Sequence, residues 1–274
     1  MSKILPFTDL FDSHCHLNDS RFDEDRDEVV DRAIETGVKH IVDVAVDVNS
    51  AGRSLELSGK YKGVVHSTVG IYPEFLIPGA SMFKGEVGED EVLARIEDID
   101  SLLSKHKGRF LMVGECGLDY YWLVKNVRGK EEFDRSVSLQ KLLFEEQIKL
   151  AVKHKLPLTV HHRESTDDCL ELLAKYPETR AIFHSFTGDL RQANAILSAG
   201  HNVGINGIIT FPNATELQQV VKGILDGVSI ESPQDLYEKG VYLETDSPYL
   251  APQAKRGKRN EPENISAIFR SLVP

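Results

Sequence analysis

Close to its amino end the chain carries the stretch Phe11-Asp12-Ser13-His14-Cys15-His16-Leu17, a short apolar run that contains two histidines separated by one residue. Because side chains alternate along a strand, His14 and His16 are expected on the same face. Two neutral imidazoles on one face can bind a metal from two directions, although histidines at this spacing are also common in proteins without metals. The stretch predicts a first strand, and it indicates a metal site only if other segments complete it.

Strand-like and helix-like segments alternate along the rest of the chain. Apolar residues at helical spacing, such as Val29, Val30, Ala33 and Ile34, predict amphipathic helices, and short apolar runs between them predict strands. The predicted strands are residues 11–17, 39–46, 64–69, 110–114, 158–161, 181–184, 202–205 and 241–245. The predicted helices are residues 25–36, 50–60, 91–106, 131–154, 166–176, 190–199 and 215–225.

Eight strands alternating with helices indicate parallel βαβ units and predict an α/β protein of the (β/α)₈ TIM-barrel class. An open, doubly wound sheet would require a glycine-rich phosphate loop after the first strand, and the sequence has none there. No linker divides the chain, so we expect residues 1–274 to form a single domain. The last helix would begin near Glu263 and is expected to be short.

Composition narrows the classes of function. With 41% hydrophobic and 27% charged residues, and no apolar stretch long enough for a bilayer, the chain is expected to be globular and to have no membrane partner. The segment Met1–Asp9 lacks the apolar core of a secretion signal. Three cysteines without C-x-x-C spacing predict free thiols, and hence the cytoplasm. The formal net charge of −11 argues against broad affinity for nucleic acid, so any phosphate-binding region must be local. The sequence does not predict an oligomeric state.

Potential metal ligands stand at the carboxyl ends of the predicted strands, where TIM barrels collect reactive groups. They are His14, His16, Glu115, His161 or His162, His184 and Asp246. Any one of them alone is more simply interpreted as a hydrogen-bonded core or loop residue. Because burying ionisable groups without partners is costly, six at one barrel opening favour a metal centre.

Imidazole and carboxylate ligands without cysteine suit Zn²⁺, Mn²⁺ or Mg²⁺, and four imidazoles favour the first two. Six ligands exceed one zinc site, so we expect two divalent cations that share Glu115. Two such cations can activate a water and stabilise the charge on a phosphoryl oxygen. Asp246 could orient that water and accept its proton, which makes Glu115 and Asp246 the predicted catalytic residues.

These residues lie in short motifs that jointly resemble the TatD family of metal-dependent deoxyribonucleases, which are amidohydrolase-like TIM barrels. The motifs are Asp12-Ser13-His14-Cys15-His16-Leu17, Gly114-Glu115-Cys116-Gly117-Leu118-Asp119-Tyr120, His161-His162-Arg163, His184-Ser185-Phe186-Thr187-Gly188, Glu244-Thr245-Asp246-Ser247-Pro248-Tyr249-Leu250 and Arg259-Asn260-Glu261-Pro262. The resemblance covers about Phe11 to Pro262. It implies hydrolysis of DNA phosphodiester bonds, with exonuclease action on single strands or ends.

The resemblance also implies roles for individual residues. The first metal would be held by His14, His16 and Asp246, and the second by His161 and His184. Glu115 would bridge the two metals, His162 would point away from the barrel opening, and Arg163 would face the substrate phosphate. The family usually carries Gly-x-His-Pro after the third strand, where this chain has Gly70-Ile71-Tyr72-Pro73. Tyr72 is therefore expected to contact the substrate.

Two basic segments are expected on the same side of the barrel as the metals. Lys255-Arg256-Gly257-Lys258-Arg259 follows the eighth strand and is either a phosphate clamp, with Arg259 as a substrate contact, or a solvated loop. The loop after the fourth strand combines aromatic residues with cations, which suits either stacking on bases or packing of the loop onto the barrel. These residues are Tyr120, Tyr121, Trp122, Lys125, Arg128 and Lys130.

Three hypotheses about function remain open at this point. The first is a metal-dependent phosphodiesterase acting on DNA. The second is hydrolysis of another ester or amide bond, such as that of D-aminoacyl-tRNA; many amidohydrolases bridge their metals with a modified lysine from the fourth strand, and Glu115 in that place favours the nuclease. The third is a non-catalytic metal-binding barrel, which complete ligands at the strand ends argue against.

Overall fold

The computed structural model describes residues 4–5, 7–83, 85 and 87–273. Residues 1–3 and 6, part of the segment examined above for a secretion signal, lie outside the described residues. Eight strands form one sheet in chain order. They are β1 (Phe11–Cys15), β2 (His40–Asp43), β3 (Val65–Val69), β4 (Phe110–Asp119), β5 (Leu158–Arg163), β6 (Ala181–Phe183), β7 (Asn202–Ile205) and β8 (Val241–Leu243).

Helices alternate with these strands around the outside of the sheet. They are α1 (Arg26–Glu35), α2 (Val48–Lys60), α3 (Glu89–Lys105), α4 (Tyr120–Asn126), α5 (Lys130–His154), α6 (Thr166–Ala174), α7 (Leu190–Ser198), α8 (Thr215–Ile224), α9 (Pro233–Glu238) and α10 (Ile265–Leu272). None of these helices, which come from the described part of the chain, is long and apolar enough to cross a membrane.

Each strand pairs in parallel with the next, and this confirms the predicted single-domain (β/α)₈ barrel. Every residue of β1, β6, β7 and β8 is buried, as expected for strands covered by helices outside and by side chains inside the barrel. The eight-residue α10 is the expected short final helix.

The barrel closes between β8 and β1 through residues that follow β8. The backbone N–H of Asp246 donates to the carbonyl of His14 at 2.9 Å. The carboxylate of Asp12, which is completely buried, accepts the backbone N–H of Thr245 at 2.9 Å and also its hydroxyl. This closing seam therefore brings the first and last predicted ligands side by side.

Two helices differ from the sequence prediction. Residues 120–126, expected as a loop, form α4, because the Asp119 side chain caps it by accepting the N–H of Trp122 at 2.8 Å. Helix α9 was not predicted, although Ser232, Pro233 and Asp235 carry the signal of a capping box with proline in the first turn. Both helices are short, and their periodicity is correspondingly weak.

Candidate metal centre

Glu115 lies at the centre of the barrel opening, with its two carboxylate oxygens facing different histidines. Oε2 is 3.5 Å from Nε2 of His14 and 3.7 Å from Nε2 of His16. Oε1 is 3.1 Å from Nδ1 of His161 and 2.8 Å from Nε2 of His184. One carboxylate thus joins two pairs of imidazoles.

Asp246 completes the cluster on the side of the seam. Its Oδ1 is 3.4 Å from Nε2 of His16 and 4.0 Å from Nε2 of His14. Ligand atoms of His14, His184 and Asp246 all lie within 4.8 Å of one another. The structure therefore brings together all six residues that the sequence nominated as metal ligands.

Two glycines allow Glu115 to reach the barrel opening. The pairing of β4 with β5 shifts register between Val113 and Cys116, and Gly114 and Gly117 have φ of +141° and +138°. A Cβ at Gly114 would lie 2.5 Å from Thr159, and one at Gly117 would lie 2.0 Å from a carbonyl oxygen of β5. Only glycine fits at these positions, so the glycines beside Glu115 shape the strand end that carries it.

The imidazoles on the seam side are oriented by hydrogen bonds at the ring nitrogen that faces away from the cluster. Nδ1 of His14 shares a hydrogen bond with the hydroxyl of Thr159 at 3.0 Å, and Nδ1 of His16 donates to the carbonyl of Val44 at 3.0 Å. Nε2 of each ring is thereby turned toward the cluster, where it could bind a cation. Nε2 of His14 is buried and has no hydrogen-bond partner among the described residues. Such a nitrogen fits a metal ligand.

His161 is oriented by a buried carboxylate. Its Nε2 donates to Oδ2 of Asp119 at 2.9 Å, while Nδ1 faces Glu115. The hydroxyl of Tyr72 lies 3.3 Å from the same Nε2 and beside the ring, with the two ring centroids 4.7 Å apart. A carboxylate behind a ligating histidine fixes its tautomer and raises its basicity, so Asp119 belongs to the centre as a supporting residue.

His184 faces a second buried carboxylate. Glu244 accepts the backbone N–H of Ser185 at 2.5 Å, and the same oxygen lies 3.8 Å from Nδ1 of His184. A Cβ at Gly204 would lie 2.1 Å from the other oxygen of Glu244, so the carboxyl group occupies space that glycine leaves free. Burial, together with the charge of Asp246, holds the pKa of Glu244 well above its usual range.

Burial and the neighbouring charges set the protonation states of the cluster. Burial and the neighbouring His184 lower the pKa of His14 to about 4, so its imidazole is neutral at pH 7. Burial opposes the ionisation of Glu115, but the surrounding imidazoles outweigh it and hold its pKa well below the usual range. Burial opposes the protonation of His16 and His161, but hydrogen bonds with Asp246 and with Asp119 and Glu115 outweigh it and raise the pKa of each ring to about 9, so a cation would displace a proton from each. A carboxylate among four imidazoles is a donor set that divalent transition metals bind, so the residues present fit a metal.

The remaining predicted site residues have different surroundings. His162 points away from the cluster, because its ring is buried against Phe183 and its Nδ1 hydrogen-bonds the hydroxyl of Thr166 at 2.9 Å. Arg163 lies exposed at the end of β5, with its guanidinium carbon 3.8 Å from the centroid of the Tyr121 ring.

Arg259 forms no hydrogen bond with the six cluster residues. Its guanidinium binds the carboxylate of Asp25 with two nitrogens at 2.8 and 2.6 Å, and that of Glu261 at 2.9 Å. Arg32 bonds the same two carboxylates at 3.4 and 2.8 Å. We call these four residues the arginine latch, since they fasten the segment after β8 to α1. Lys255, in the same basic segment, pairs with Glu263 at 3.8 Å.

Sequence reasoning did not assign the residues behind the histidines. Asp119 and Glu244 stand within the quoted motifs, and Thr159 lies two residues before His161. A carboxylate close in sequence to a predicted ligand is a signal for such a supporting residue. Which histidine it contacts depends on the register between neighbouring strands, which the sequence does not show.

Comparison with known proteins agrees with this site. A family model described as "TatD related DNase" matches residues 11–273. The chain is 32% identical over 267 residues to the uncharacterized metal-dependent hydrolase YabD of Bacillus subtilis. The alignment covers 96% of this chain and 90% of YabD. It is 30% identical over 260 residues to the human deoxyribonuclease TATDN3, with 94% and 84% covered.

Among solved structures, the crystal structure of YjjV, a TatD homologue from Escherichia coli, superposes with a TM-score of 0.77 at 25% identity. The match covers 96% of this chain and 88% of that one. The family match and the level of identity to YabD confirm the resemblance drawn from the motifs. The chain belongs to the TatD-related DNases and is a member of this group of metal-dependent hydrolases.

Proposed function

We propose that this chain hydrolyses phosphodiester bonds of DNA with the help of two divalent cations, and that it acts on single strands or on ends. The observation that carries the proposal is the geometry of Glu115, whose two oxygens face separate histidine pairs at 2.8 to 3.7 Å. His14, His16 and Asp246 would hold one cation, His161 and His184 the other, and Glu115 both.

When bound, such cations supply Lewis acidity, which stabilises negative charge on the phosphoryl oxygens and makes water more acidic. Asp246 is the residue best placed to hold the attacking water and accept its proton, because it is ionised and lies at the edge of the cluster. The pKa of Asp246 is held below its usual range; burial opposes this, and the hydrogen bond with His16 and the charges of the histidines outweigh the burial.

Supporting residues keep this arrangement rigid. Asp119 and Thr159 each bind the outer nitrogen of a ligand histidine, at 2.9 and 3.0 Å, so the rings are oriented before substrate arrives. Tyr72 presents a neutral hydroxyl beside His161 and is placed to donate to a phosphate oxygen. Arg163 would contact the substrate from the end of β5.

The relatives support a nucleic-acid substrate, since the human relative is named a deoxyribonuclease. All three cysteines are free and buried, which supports a reducing compartment and hence the proposed cytoplasmic location.

The test uses purified protein treated with chelator and then supplied with Mg²⁺, Mn²⁺ or Zn²⁺, with end-labelled single-stranded DNA as substrate. Glu115→Gln keeps the size of the side chain and removes its charge. Glu171→Gln, at an exposed position of α6, is the matched control. We expect metal-dependent cleavage by the wild type and the control, its loss in Glu115→Gln, and two cations per wild-type chain by elemental analysis.

Other outcomes of this assay would support the other hypotheses. Cleavage that persists in Glu115→Gln would indicate a contaminating nuclease. Hydrolysis of D-aminoacyl-tRNA or small esters, without DNA cleavage, would identify a hydrolase of another class. Metal binding without turnover of any of these substrates would support a non-catalytic barrel.

A further inference from the structure

Helix α4 presents two different faces. On the inner face, the Tyr120 hydroxyl donates to Asp168 at 2.7 Å and Leu123 is completely buried. On the outer face, Trp122 is 39% exposed, and Tyr121 packs against it edge to face with ring centroids 5.2 Å apart. Tyr120 and Leu123 therefore fasten the helix to the barrel, and the two outer aromatic rings are not needed for that purpose.

The outer rings carry two cations. The Arg163 guanidinium carbon lies 3.8 Å from the centroid of Tyr121 and 5.5 Å from that of Trp122. Nζ of Lys125 lies 4.2 and 5.6 Å from the same two centroids. Within the described ranges, neither cation has a carboxylate oxygen within 4.0 Å. We call Tyr121, Trp122, Lys125 and Arg163 the aromatic rim.

Unpaired cations are notable in a chain of net charge −11, in which the arginine latch shows how readily carboxylates surround a guanidinium. The positive charge of the aromatic rim is available to an anion from outside, and the exposed part of the Trp122 ring is available to another π-system. Phosphate next to a flat base is the ligand that offers both at once.

The aromatic rim is attached to the metal centre through two strand ends. Asp119 binds His161 through Oδ2 and caps α4 at Trp122 through Oδ1, so one buried carboxylate positions a metal ligand and the helix that carries the rim. Arg163 follows His161 by two residues in β5 and thus lies on the same side of that strand. A ligand on the rim therefore lies at the edge of the opening in which Glu115 is centred.

We propose that the aromatic rim binds an unpaired nucleobase of the strand that is cut, by stacking on Trp122 while Arg163 and Lys125, held on the Tyr121 ring, contact the adjoining phosphate. This inference rests on the proposed function. It adds which residues would make the enzyme prefer single-stranded DNA. A base inside a duplex has its faces covered by its neighbours, whereas a base in a single strand or frayed end can stack on protein. Because the rim residues offer stacking and charge, discrimination among the four bases is expected to be small.

Trp122 is the only tryptophan of the chain, so its fluorescence reports binding directly. The metal-free protein, kept from turnover by chelator, is titrated with a single-stranded oligonucleotide and with the same backbone carrying abasic residues. We expect quenching by the first and little by the second. Equal quenching by both, or none by either, would overturn the proposal.

Kinetics give a second test on the metal-loaded enzyme. Trp122→Leu is expected to raise KM for single-stranded DNA by about 5- to 150-fold, the range that corresponds to the loss of one stacked base. Arg163→Gln, tested separately, is expected to raise the same KM because it removes a phosphate contact. For the abasic strand, Trp122→Leu should change KM little, because there is no base to lose. The matched control is Leu93→Ala, which removes an equally exposed apolar side chain from α3 and should change neither value.

The outcomes separate this inference from the proposed function. If the wild type cleaves the abasic strand as well as the normal strand, and Trp122→Leu leaves both KM values unchanged, the aromatic rim is not a base site although the nuclease proposal stands. If no metal supports DNA cleavage, the proposed function fails, and an absence of fluorescence quenching by DNA then overturns the rim as well.

Discussion

Two edges of the barrel opening carry an exposed or half-exposed arginine, and they use it differently. On the seam side, the guanidinium of Arg259 is surrounded by the carboxylates of Asp25 and Glu261 at 2.6 to 2.9 Å. On the opposite side, Arg163 lies on the face of Tyr121 with no carboxylate near it among the described residues. The first arginine is saturated by the protein, and the second is available to a ligand.

This difference shows that a basic motif near a metal centre does not define a substrate site by itself. The arginine latch holds the segment after β8, which carries Asp246, against α1, and so it stabilises one half of the centre. The aromatic rim leaves its charge unneutralised beside the other half. What distinguishes the two is the partner of each guanidinium, and the following predictions test that distinction.

The largest effect is expected at Glu115, the residue that both halves share. Glu115→Gln removes the charge that faces all four imidazoles, so we expect both cations to be lost together and turnover to fall by orders of magnitude. Isothermal titration with Zn²⁺ measures this directly. Loss of one cation with the other retained would show that the two halves are independent.

A smaller effect is expected at Asp119, which supports only the half that carries the aromatic rim. Asp119→Asn keeps the shape but weakens the hydrogen bond to His161, and loss of such a supporting carboxylate costs about 10- to 100-fold in metal affinity. The affinity of one cation should fall while that of the other is retained. Equal weakening of both would argue against separate halves.

A crossed pair of variants tests the two arginines. Arg259→Met should lower the free energy of unfolding by about 1 kcal/mol, and hence Tm by about 2–4 °C, because it breaks the latch, while KM for DNA stays close to that of the wild type. Arg163→Gln should raise KM for DNA and leave the free energy of unfolding and Tm close to those of the wild type. Thermal melts and initial rates measure both; a raised KM in Arg259→Met would instead support the substrate contact predicted from the sequence.

The smallest effect is a pH dependence of the latch. Hydrogen bonding with Arg259 lowers the pKa of Asp25 below its ordinary value of 3.8. A carboxylate with a depressed pKa stabilises the folded state above that ordinary value, and the stabilisation is lost as the pH falls through the folded-state pKa. The Tm difference between wild type and Arg259→Met should therefore be constant from pH 7 to about pH 5 and shrink below pH 4. A difference unchanged at pH 3 would contradict this account.

The sequence was sufficient for the barrel and for the six converging residues, because both follow from local patterns. Strand periodicity and strand ends locate His14, Glu115 and Asp246 without knowledge of the neighbouring strands. The resemblance added the choice of His161 over His162, and the burial of His162 against Phe183 is consistent with that choice.

The rest depended on contacts that no local pattern contains. The partner of Arg259 lies 234 residues away in sequence, so the basic segment could not be recognised as part of a latch. Gly114 and Gly117 are visible in the sequence, but the requirement for glycine at both positions is evident only from the structure, in which β5 lies against them. The two faces of α4 could not be predicted for the same reason. They are defined only once the segment is known to be a helix, and that depends on its capping by Asp119.

The closing seam also has a consequence for how the protein is made. Five of the six cluster residues have been synthesised by position 184, yet Asp246 is added more than sixty residues later and reaches the others only when the eighth strand docks on the first. A chain that is still being synthesised therefore lacks one residue of the candidate metal centre. In the nuclease proposed above, hydrolysis would therefore require that the last strand has docked, because one of the proposed ligands arrives with it.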